Sequence, residues 1–198
     1  MERIKSLEPQ IGGHPPNIAS EAEADTIKKH YIEIKAELDT LISADPKDQG
    51  LIFMRGHLQS MGHNFDYPGA WQGSNDDLRA LLNINPAHIP ALLELAKLWV
   101  NSDPALAPKA EKLFRAAQCY KGTEPVEEAQ KGIFFALYYQ GKMPEALRQS
   151  EYLIQIWPEN SLYQKLNEIT KTVLARGKTG EKKRPPAPAK LTMATCDE

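Results

Sequence analysis

Residues that end helices recur along this chain at nearly regular intervals, and this spacing constrains the fold more than any other feature. The residues are Pro46, Pro86, Gly122 and Pro158. The intervals between them are 40, 36 and 36 residues long. Within each interval, apolar residues recur every three or four positions, which predicts two amphipathic helices per segment. A period in this range is typical of stacked helical hairpins, which are usually binding scaffolds.

The apolar pattern predicts helices along most of the chain. Ser20 suits the N-cap of the first long helix, because its hydroxyl can accept a hydrogen bond from a free backbone N–H. Glu21 and Glu23 follow in the first turn, where the helix dipole favours acidic groups. The predicted helices are 20–44, 49–61, 76–82, 90–101, 108–121, 123–140, 144–157 and 161–175. No segment alternates convincingly with the two-residue period of a strand, so we predict an all-α protein.

Composition divides the chain into three parts. Residues 1–19 are interrupted by Pro and Gly, and we expect them to be a flexible N-terminal segment. Residues 20–176 carry the helical pattern and are predicted to form one helical repeat domain. Residues 177–198 are rich in Lys, Arg and Pro, and we expect a disordered tail because they have little apolar surface to bury.

The net charge and the hydropathy of the chain argue against a nucleic-acid partner and against a membrane span. The chain has 24 Lys and Arg against 26 Asp and Glu, a net charge of −2. Because nucleic-acid binding needs a basic surface, we expect no nucleic-acid partner. No apolar run approaches the roughly 20 residues of a membrane span, and the first 20 residues lack the apolar core of a secretory signal. We therefore expect a cytoplasmic protein, or a periplasmic one if a leader or anchor was removed.

Cysteine and histidine spacing predicts neither a disulfide framework nor a metal site. Cys119 falls in a helical pattern and Cys196 in the predicted tail, so we expect free thiols in a reducing compartment. His57, His63 and His88 lack the spacing of converging metal ligands. The sequence also lacks a phosphate-binding loop, a nucleophile elbow and a paired-carboxylate motif. We therefore expect no metal, no cofactor and no catalytic residue.

Residues 89–122 resemble the tetratricopeptide repeat (TPR), a helix–turn–helix unit of about 34 residues. The matching positions are Leu92, Leu95, Ala96, Trp99, Ala110, Phe114 and Ala117. Small residues at Ala96 and Ala110 would let the two helices approach closely, with large side chains filling the space beside them. A turn two residues longer than usual accounts for the 36-residue interval.

Two further segments resemble the repeat less closely. In residues 125–158 the turn from Gly141 to Ala146 and the closing Pro158 are similar to the motif, whereas Phe134 occupies a site that is small in the family. In residues 48–86 the small site is occupied by Arg55, and about six extra residues explain the 40-residue interval. The helix at 161–175 would cap the open end, with polar residues including Asn167 facing water.

The resemblance implies a right-handed α-α superhelix whose first helices line a concave groove. The positions predicted to bind a partner there are Leu93, Lys97, Val100, Lys131, Phe135, Tyr138 and Tyr139. Aromatic residues in such a groove would anchor a helix or an extended peptide. In the alternative interpretation, Phe135 and Tyr138 pack against the helix at 161–175.

A second candidate is the aromatic-rich stretch 62–73, which is predicted to be a recognition loop. The residues that would contact a partner are His63, Phe65 and Tyr67. The alternative is that Phe65 and Trp71 pack beneath neighbouring helices. Some members of the family grip a partner's C-terminal carboxylate with basic and amide side chains. The corresponding positions here are Ile52, Gly56, Glu94, Glu128 and Gly132, so that type of clamp is not expected.

The favoured hypothesis is a non-enzymatic adaptor or assembly factor that holds a protein or peptide partner in the groove. One alternative is a periplasmic module for c-type cytochrome assembly, which the chain resembles in architecture and size. Another is a structural protein that self-associates as a homodimer through an exposed end of the stack. An enzyme that uses the 62–73 loop is the least favoured alternative.

Overall fold

The computed structural model describes residues 2–177 and 191–194, and this part of the chain is helical, without strands. The helices are α1 Glu2–Lys5, α2 Glu8–Ile11, α3 Glu21–Ala44, α4 Gln49–Asn64, α5 Ala70–Ile84, α6 Ile89–Ser102, α7 Ala107–Lys121, α8 Glu127–Tyr139, α9 Met143–Ile156 and α10 Ser161–Gly177. A 3₁₀ turn, Pro104–Leu106, precedes α7. The predicted all-α fold class is confirmed.

The chain divides into two compact units, which meet in the sequence between Leu98 and Trp99. We call them the N-terminal unit and the C-terminal unit. The single repeat domain over residues 20–176 stays a prediction from the sequence. The apolar period gives no sign of this boundary, because it continues through α6. Among the described residues, no helix is both long and apolar enough to cross a bilayer.

The N-terminal unit is built on α3, which packs against α4, and α4 packs against α5. Ser20 caps α3 as predicted, because its hydroxyl accepts a hydrogen bond of 3.2 Å from the Glu23 N–H. The buried side of α3 repeats every three or four residues, as an amphipathic helix requires. Its core residues are Ile27, Tyr31, Ile34, Leu38 and Ile42.

The N-terminal segment is part of this core. Ile4, Leu7 and Ile11 are 4%, 3% and 0% exposed and pack with residues of α3 and α4. The side chain of Asn64 also donates a 3.0 Å hydrogen bond to the Ile11 carbonyl. Residues 2–11, part of the segment predicted to be flexible, thus contain two short helices packed on this core. Helices this short are unstable alone, so burial against α3 and α4 is what orders them.

The stretch predicted as a long loop is mostly helical. Helix α4 continues to Asn64 and α5 begins at Ala70, so only residues 65–69 connect them. The short connection turns sharply, with positive φ angles of 55° at Asp66 and 74° at Gly69. The residues that lengthen this segment therefore extend the two helices instead of forming a large loop.

In the C-terminal unit, α7 packs on α8, α8 on α9 and α9 on α10. Helices α7 and α8 approach closely at Gly132, where an added Cβ would overlap the ring of the buried Phe114. On α10, Asn167 is 4% exposed and donates a 2.9 Å hydrogen bond to the Ser150 hydroxyl. The prediction that Asn167 faces water is therefore wrong, because this amide pairs with α9.

The C-terminal segment 191–194 returns to this unit. Ala194, within the stretch 177–198 that is predicted to be a disordered tail, is 4% exposed. Residues 178–190, with the basic run, and 195–198 lie outside the described residues. Cys119 on α7 is disulfide-bonded, which corrects the prediction that it is a free thiol. The chain has one other cysteine, Cys196.

Candidate functional site

One face of α8 carries four of the residues predicted to bind a partner. Phe135 and Tyr138 are half-buried, and Tyr139 is 44% exposed. The ring centroids of Phe135 and Tyr139 lie 6.4 Å apart, and those of Tyr138 and Tyr139 lie 6.0 Å apart. Lys131, one turn before Phe135, is half-buried as well. We call these four residues the α8 strip.

The α8 strip is supported by a buried aromatic residue. Phe134 is 1% exposed, and its ring lies 5.3 Å from that of Phe135 and 6.0 Å from that of Tyr138. Offset and edge contacts of this kind stabilise aromatic clusters. Phe134 is a large residue at a position where the resemblance to the repeat predicts a small one. Its buried ring packs beneath the α8 strip and supports it.

The other three predicted groove residues lie on α6 and are less available. Leu93 is 9% exposed and Val100 is 5% exposed, so both belong to the core. Lys97 is half-buried, and its ammonium group lies 2.8 Å from the Glu94 carboxylate. The sequence places Leu93 and Val100 on a helix but does not distinguish a groove position from a buried one, because both require an apolar side chain.

The predicted recognition residues of the 62–73 stretch pack inwards. Phe65 and Tyr67 pack against the core of the N-terminal unit, and the Tyr67 ring stacks on Tyr31 at 4.4 Å. Burial, together with the neighbouring Tyr31 and Asp25, raises the pKa of Tyr67 to about 12. His63 is half-buried. These contacts favour the alternative in which the aromatic residues fix the connection between α4 and α5.

A polar cleft of about 440 Å³ lies beside α7. Its central carboxylate, Glu111, accepts hydrogen bonds from Arg115, Gln140 and Lys142 at 2.9, 2.7 and 3.2 Å. Burial alone would raise the pKa of Glu111, but these three donors lower it. Glu111 is therefore ionised and hydrogen-bonded within the C-terminal unit. Its bonds to Gln140 and Lys142 hold α7 against the end of α8.

Three buried glutamines in the C-terminal unit form a cluster that the sequence analysis missed. Gln118 and Gln130 are 0% exposed and Gln149 is 5% exposed. The Gln130 amide donates to the Ala194 carbonyl at 3.0 Å and accepts from the Ala194 N–H at 3.3 Å. In the sequence, each of three helices carries a glutamine on its apolar face. An unpaired amide there would cost free energy, so this pattern could have indicated a buried hydrogen-bonded cluster. We call these three residues the glutamine cluster.

The sequence also predicts that the chain has no metal site and no carboxylate clamp. Among the described residues, no group of His, Cys, Asp and Glu is arranged to hold a metal ion. Of the positions that correspond to a carboxylate clamp, Gly56 and Glu94 make contacts within the N-terminal unit, whereas Glu128 is exposed. Gly56 lies against Leu78 of α5, and Glu94 is paired within the N-terminal unit.

Comparisons with known proteins add no identification. No family model, no curated protein and no solved structure matches this chain. Functional assignment therefore depends on the geometry of the described residues.

Proposed function

We propose that this protein is a non-enzymatic binding module that holds a partner peptide or helix against the α8 strip. The observation that carries the proposal is the partly open aromatic surface of Phe135, Tyr138 and Tyr139 on a firmly supported helix. Aromatic side chains bury a large area and lose little conformational freedom, so they often dominate binding energy. Lys131 at one end of the strip would favour a partner with an acidic group nearby.

The proposal includes a TPR-like arrangement of the helical hairpins. It is supported by the small residues Ala96 and Ala110, which are both fully buried, and by the close approach of α7 and α8 at Gly132. Repeats of this kind present helix faces to partners, which agrees with a role for α8.

Partner capture from native cells tests the proposal with a double variant, Phe135→Ala and Tyr139→Ala. We expect a partner retained by the wild-type chain to be retained about tenfold less, or more weakly still, by the double variant. The matched control is Tyr120→Ala, because Tyr120 is an exposed tyrosine, 53% accessible, on α7 of the same unit. Circular dichroism verifies that each chain is folded. Equal capture by all three chains would contradict the proposal.

Self-association is the second candidate function, and exposed apolar residues on α10 favour it. Leu162 is 41% exposed and Ile169 is 50% exposed. They lie seven residues apart, so they share one face of the helix. A second copy of the chain that covered this face would remove both side chains from water.

The disulfide bond of Cys119 bears on the compartment in which this function is carried out. Disulfides persist in oxidising compartments and are rare in the reducing cytoplasm. This bond favours the periplasmic form of the proposal over the cytoplasmic one. The periplasm is also the setting of the cytochrome-assembly alternative.

A further inference from the structure

We propose that the polar cleft beside α7 binds a small molecule through a phosphate or diphosphate group. Two lysines that line the cleft, Lys112 on α7 and Lys142 just before α9, contact the phosphate oxygens. The cleft lies within the C-terminal unit. It uses no residue of the α8 strip, so the proposal does not rest on the function proposed for the strip.

The cleft has the size of a small-molecule site. Its volume is about 440 Å³, and ligand pockets usually measure about 300–1,000 Å³. One side of the cleft is α7, and the other is the short segment that joins α8 to α9. A diphosphate group would fill only part of this volume. The cleft therefore has room for an organic group as well.

Basic side chains outnumber acidic ones in the lining of the cleft. Lys112, Arg115 and Lys142 line it together with a single carboxylate, Glu111. The chain as a whole has a net charge of −2, so this excess of positive charge is local. Charge of one sign gathered in a concave site raises the local concentration of oppositely charged ligands. The lining therefore favours an anion.

Glu111 does not cancel this positive charge, because its own partners already neutralise it. It accepts a hydrogen bond from Arg115 at 2.9 Å and one from Lys142 at 3.2 Å. Burial alone would raise the pKa of Glu111, yet its hydrogen-bond donors lower it, so the cleft stabilises negative charge. The bond to Glu111 also holds Lys142 at the cleft. It uses one of the three N–H donors of the ammonium group, which leaves two for a ligand.

Lys112 provides the second point of contact. It is exposed and follows Glu111 directly on α7. Among the residues that the structure describes, no carboxylate forms an ion pair with it. Two ammonium groups with unused donors at one cleft suit an anion that has several oxygen atoms and more than one negative charge.

The position of Arg115 distinguishes a phosphate ligand from a carboxylate ligand. A planar carboxylate is matched best by the fork of a guanidinium group. In this cleft, Nε and Nη2 of Arg115 both lie 2.9 Å from Glu111 Oε1, so that edge of the guanidinium is occupied. The lysines act as point charges, which suit the tetrahedral oxygens of a phosphate. The ligand class is therefore a phosphate or a diphosphate.

Isothermal titration of the full-length chain with inorganic pyrophosphate tests the site. At about 50 mM salt, where charges are little screened, we expect one-site binding with a dissociation constant below about 1 mM. Citrate carries a similar charge on carboxylates, and we expect it to bind at least about tenfold more weakly. A lack of saturable pyrophosphate binding, or equal binding of citrate, would overturn the proposal.

A titration with adenosine diphosphate identifies the source of the phosphate group. Binding at least as tight as that of pyrophosphate would show that the diphosphate is carried on an organic group. Weaker binding would show that the inorganic ion is the ligand. Either order supports the site, because both probes carry the same diphosphate chemistry.

Substitution of the lysines locates the bound anion. We expect pyrophosphate to bind about fivefold more weakly to Lys112→Gln, and at least about tenfold more weakly to the Lys112→Gln, Lys142→Gln double variant. The matched control is Lys109→Gln, because Lys109 is exposed on α7 but does not line the cleft. It removes the same charge and should change the affinity by less than about twofold. Circular dichroism verifies that each variant is folded.

Equal weakening by Lys109→Gln and Lys112→Gln would overturn the proposal, because it would show attraction to the net charge of the chain alone. The Tyr139→Ala substitution on the α8 strip should leave pyrophosphate binding unchanged. Failure of one site can therefore be told apart from failure of the other.

Discussion

At the scale of single residues, charged groups inside the N-terminal unit are neutralised by fixed partners. The Arg55 guanidinium on α4 binds Asp77 on α5 through two hydrogen bonds of 2.8 and 2.6 Å, and Asp39 on α3 through one of 2.8 Å. Gln59 donates a further 2.8 Å bond to Asp77. Bidentate pairing of this kind explains how the partly buried Arg55 is accommodated between α3, α4 and α5.

His57 and Glu94 form a second charged group in the same unit. His57 Nδ1 lies 3.3 Å from Glu94 Oε1, and Lys97 Nζ lies 2.8 Å from Glu94 Oε2. His57 Nε2 also lies 3.4 Å from the Glu8 carboxylate. Nδ1 and Oε1 lie within ion-pair distance but do not meet the geometry of a well-aligned hydrogen bond.

The environment shifts both pKa values in the direction that favours ionisation. Burial alone would raise the pKa of Glu94, but His57 and Lys97 lower it to about 2. Burial alone would lower the pKa of His57, but the Glu94 carboxylate raises it. The His57 contribution to stability is thus complete below its unfolded pKa of about 6.5 and is lost as pH rises through the folded value.

Substitution of His57 should therefore cost more in acid than in base. We expect the difference in unfolding free energy between wild type and His57→Gln to be larger at about pH 5.5 than at about pH 8.5. Glu94 remains ionised at both values, because its contribution is lost only as pH falls from about 4.5 towards 2. Urea denaturation at the two pH values measures the difference, with the exposed His30→Gln as control. A pH-independent difference would refute this account of the pair.

At the scale of elements, the N-terminal helices are held by tertiary contacts. Helix α2 contributes Ile11, which is fully buried beside α3 and α4. We expect Ile11→Ala to lower the unfolding free energy by about 2–4 kcal/mol, through lost burial and the cavity that remains. Ile32→Ala on α3 is the matched control, since Ile32 is 54% exposed, and should change stability by less than about 0.5 kcal/mol. Similar urea midpoints for both variants would contradict a structural role for α2.

The connection between α4 and α5 depends on aromatic side chains that lie outside the two helices. Tyr67 and Phe65 lie 5.0 Å apart in an edge contact, and both pack on the core of the N-terminal unit. This packing directs the five-residue connection between α4 and α5. Phe65 and Tyr67, which are predicted to recognise a partner, thus also help to place one helix against the next.

At the scale of the whole molecule, self-association through α10 makes a distinct prediction. If a second copy covers this helix, the Leu162→Gln, Ile169→Gln variant should be monomeric at concentrations where the wild type is dimeric. Light scattering with size-exclusion chromatography measures the molar mass. Ile84→Gln, at a residue 45% exposed on α5, is the control and should behave as the wild type does. A monomeric wild type would exclude this function.

Much of the helical architecture could be predicted because it depends on local pattern. The Ser20 cap, the buried period of α3 and the C-terminal ends of α7 to α9 follow from apolar spacing and from helix-ending residues, whereas α8 begins at Glu127 and not at the predicted residue 123. The partner-binding role of the α8 strip stays a prediction. Tyr139 of the strip is exposed and Phe135 and Tyr138 are half-buried, whereas Leu93 and Val100 are buried, since apolar residues are alike in sequence whether they line a groove or a core.

Apolar spacing and helix-ending residues were enough to predict that the described chain is helical and which faces of most helices are apolar. The folded structure was needed to show which distant groups meet. Gln130 and Ala194 are 64 residues apart, yet their hydrogen bonds hold the C-terminal segment to the C-terminal unit. A buried amide must find a partner wherever the fold provides one, and helical periodicity carries no information about that partner.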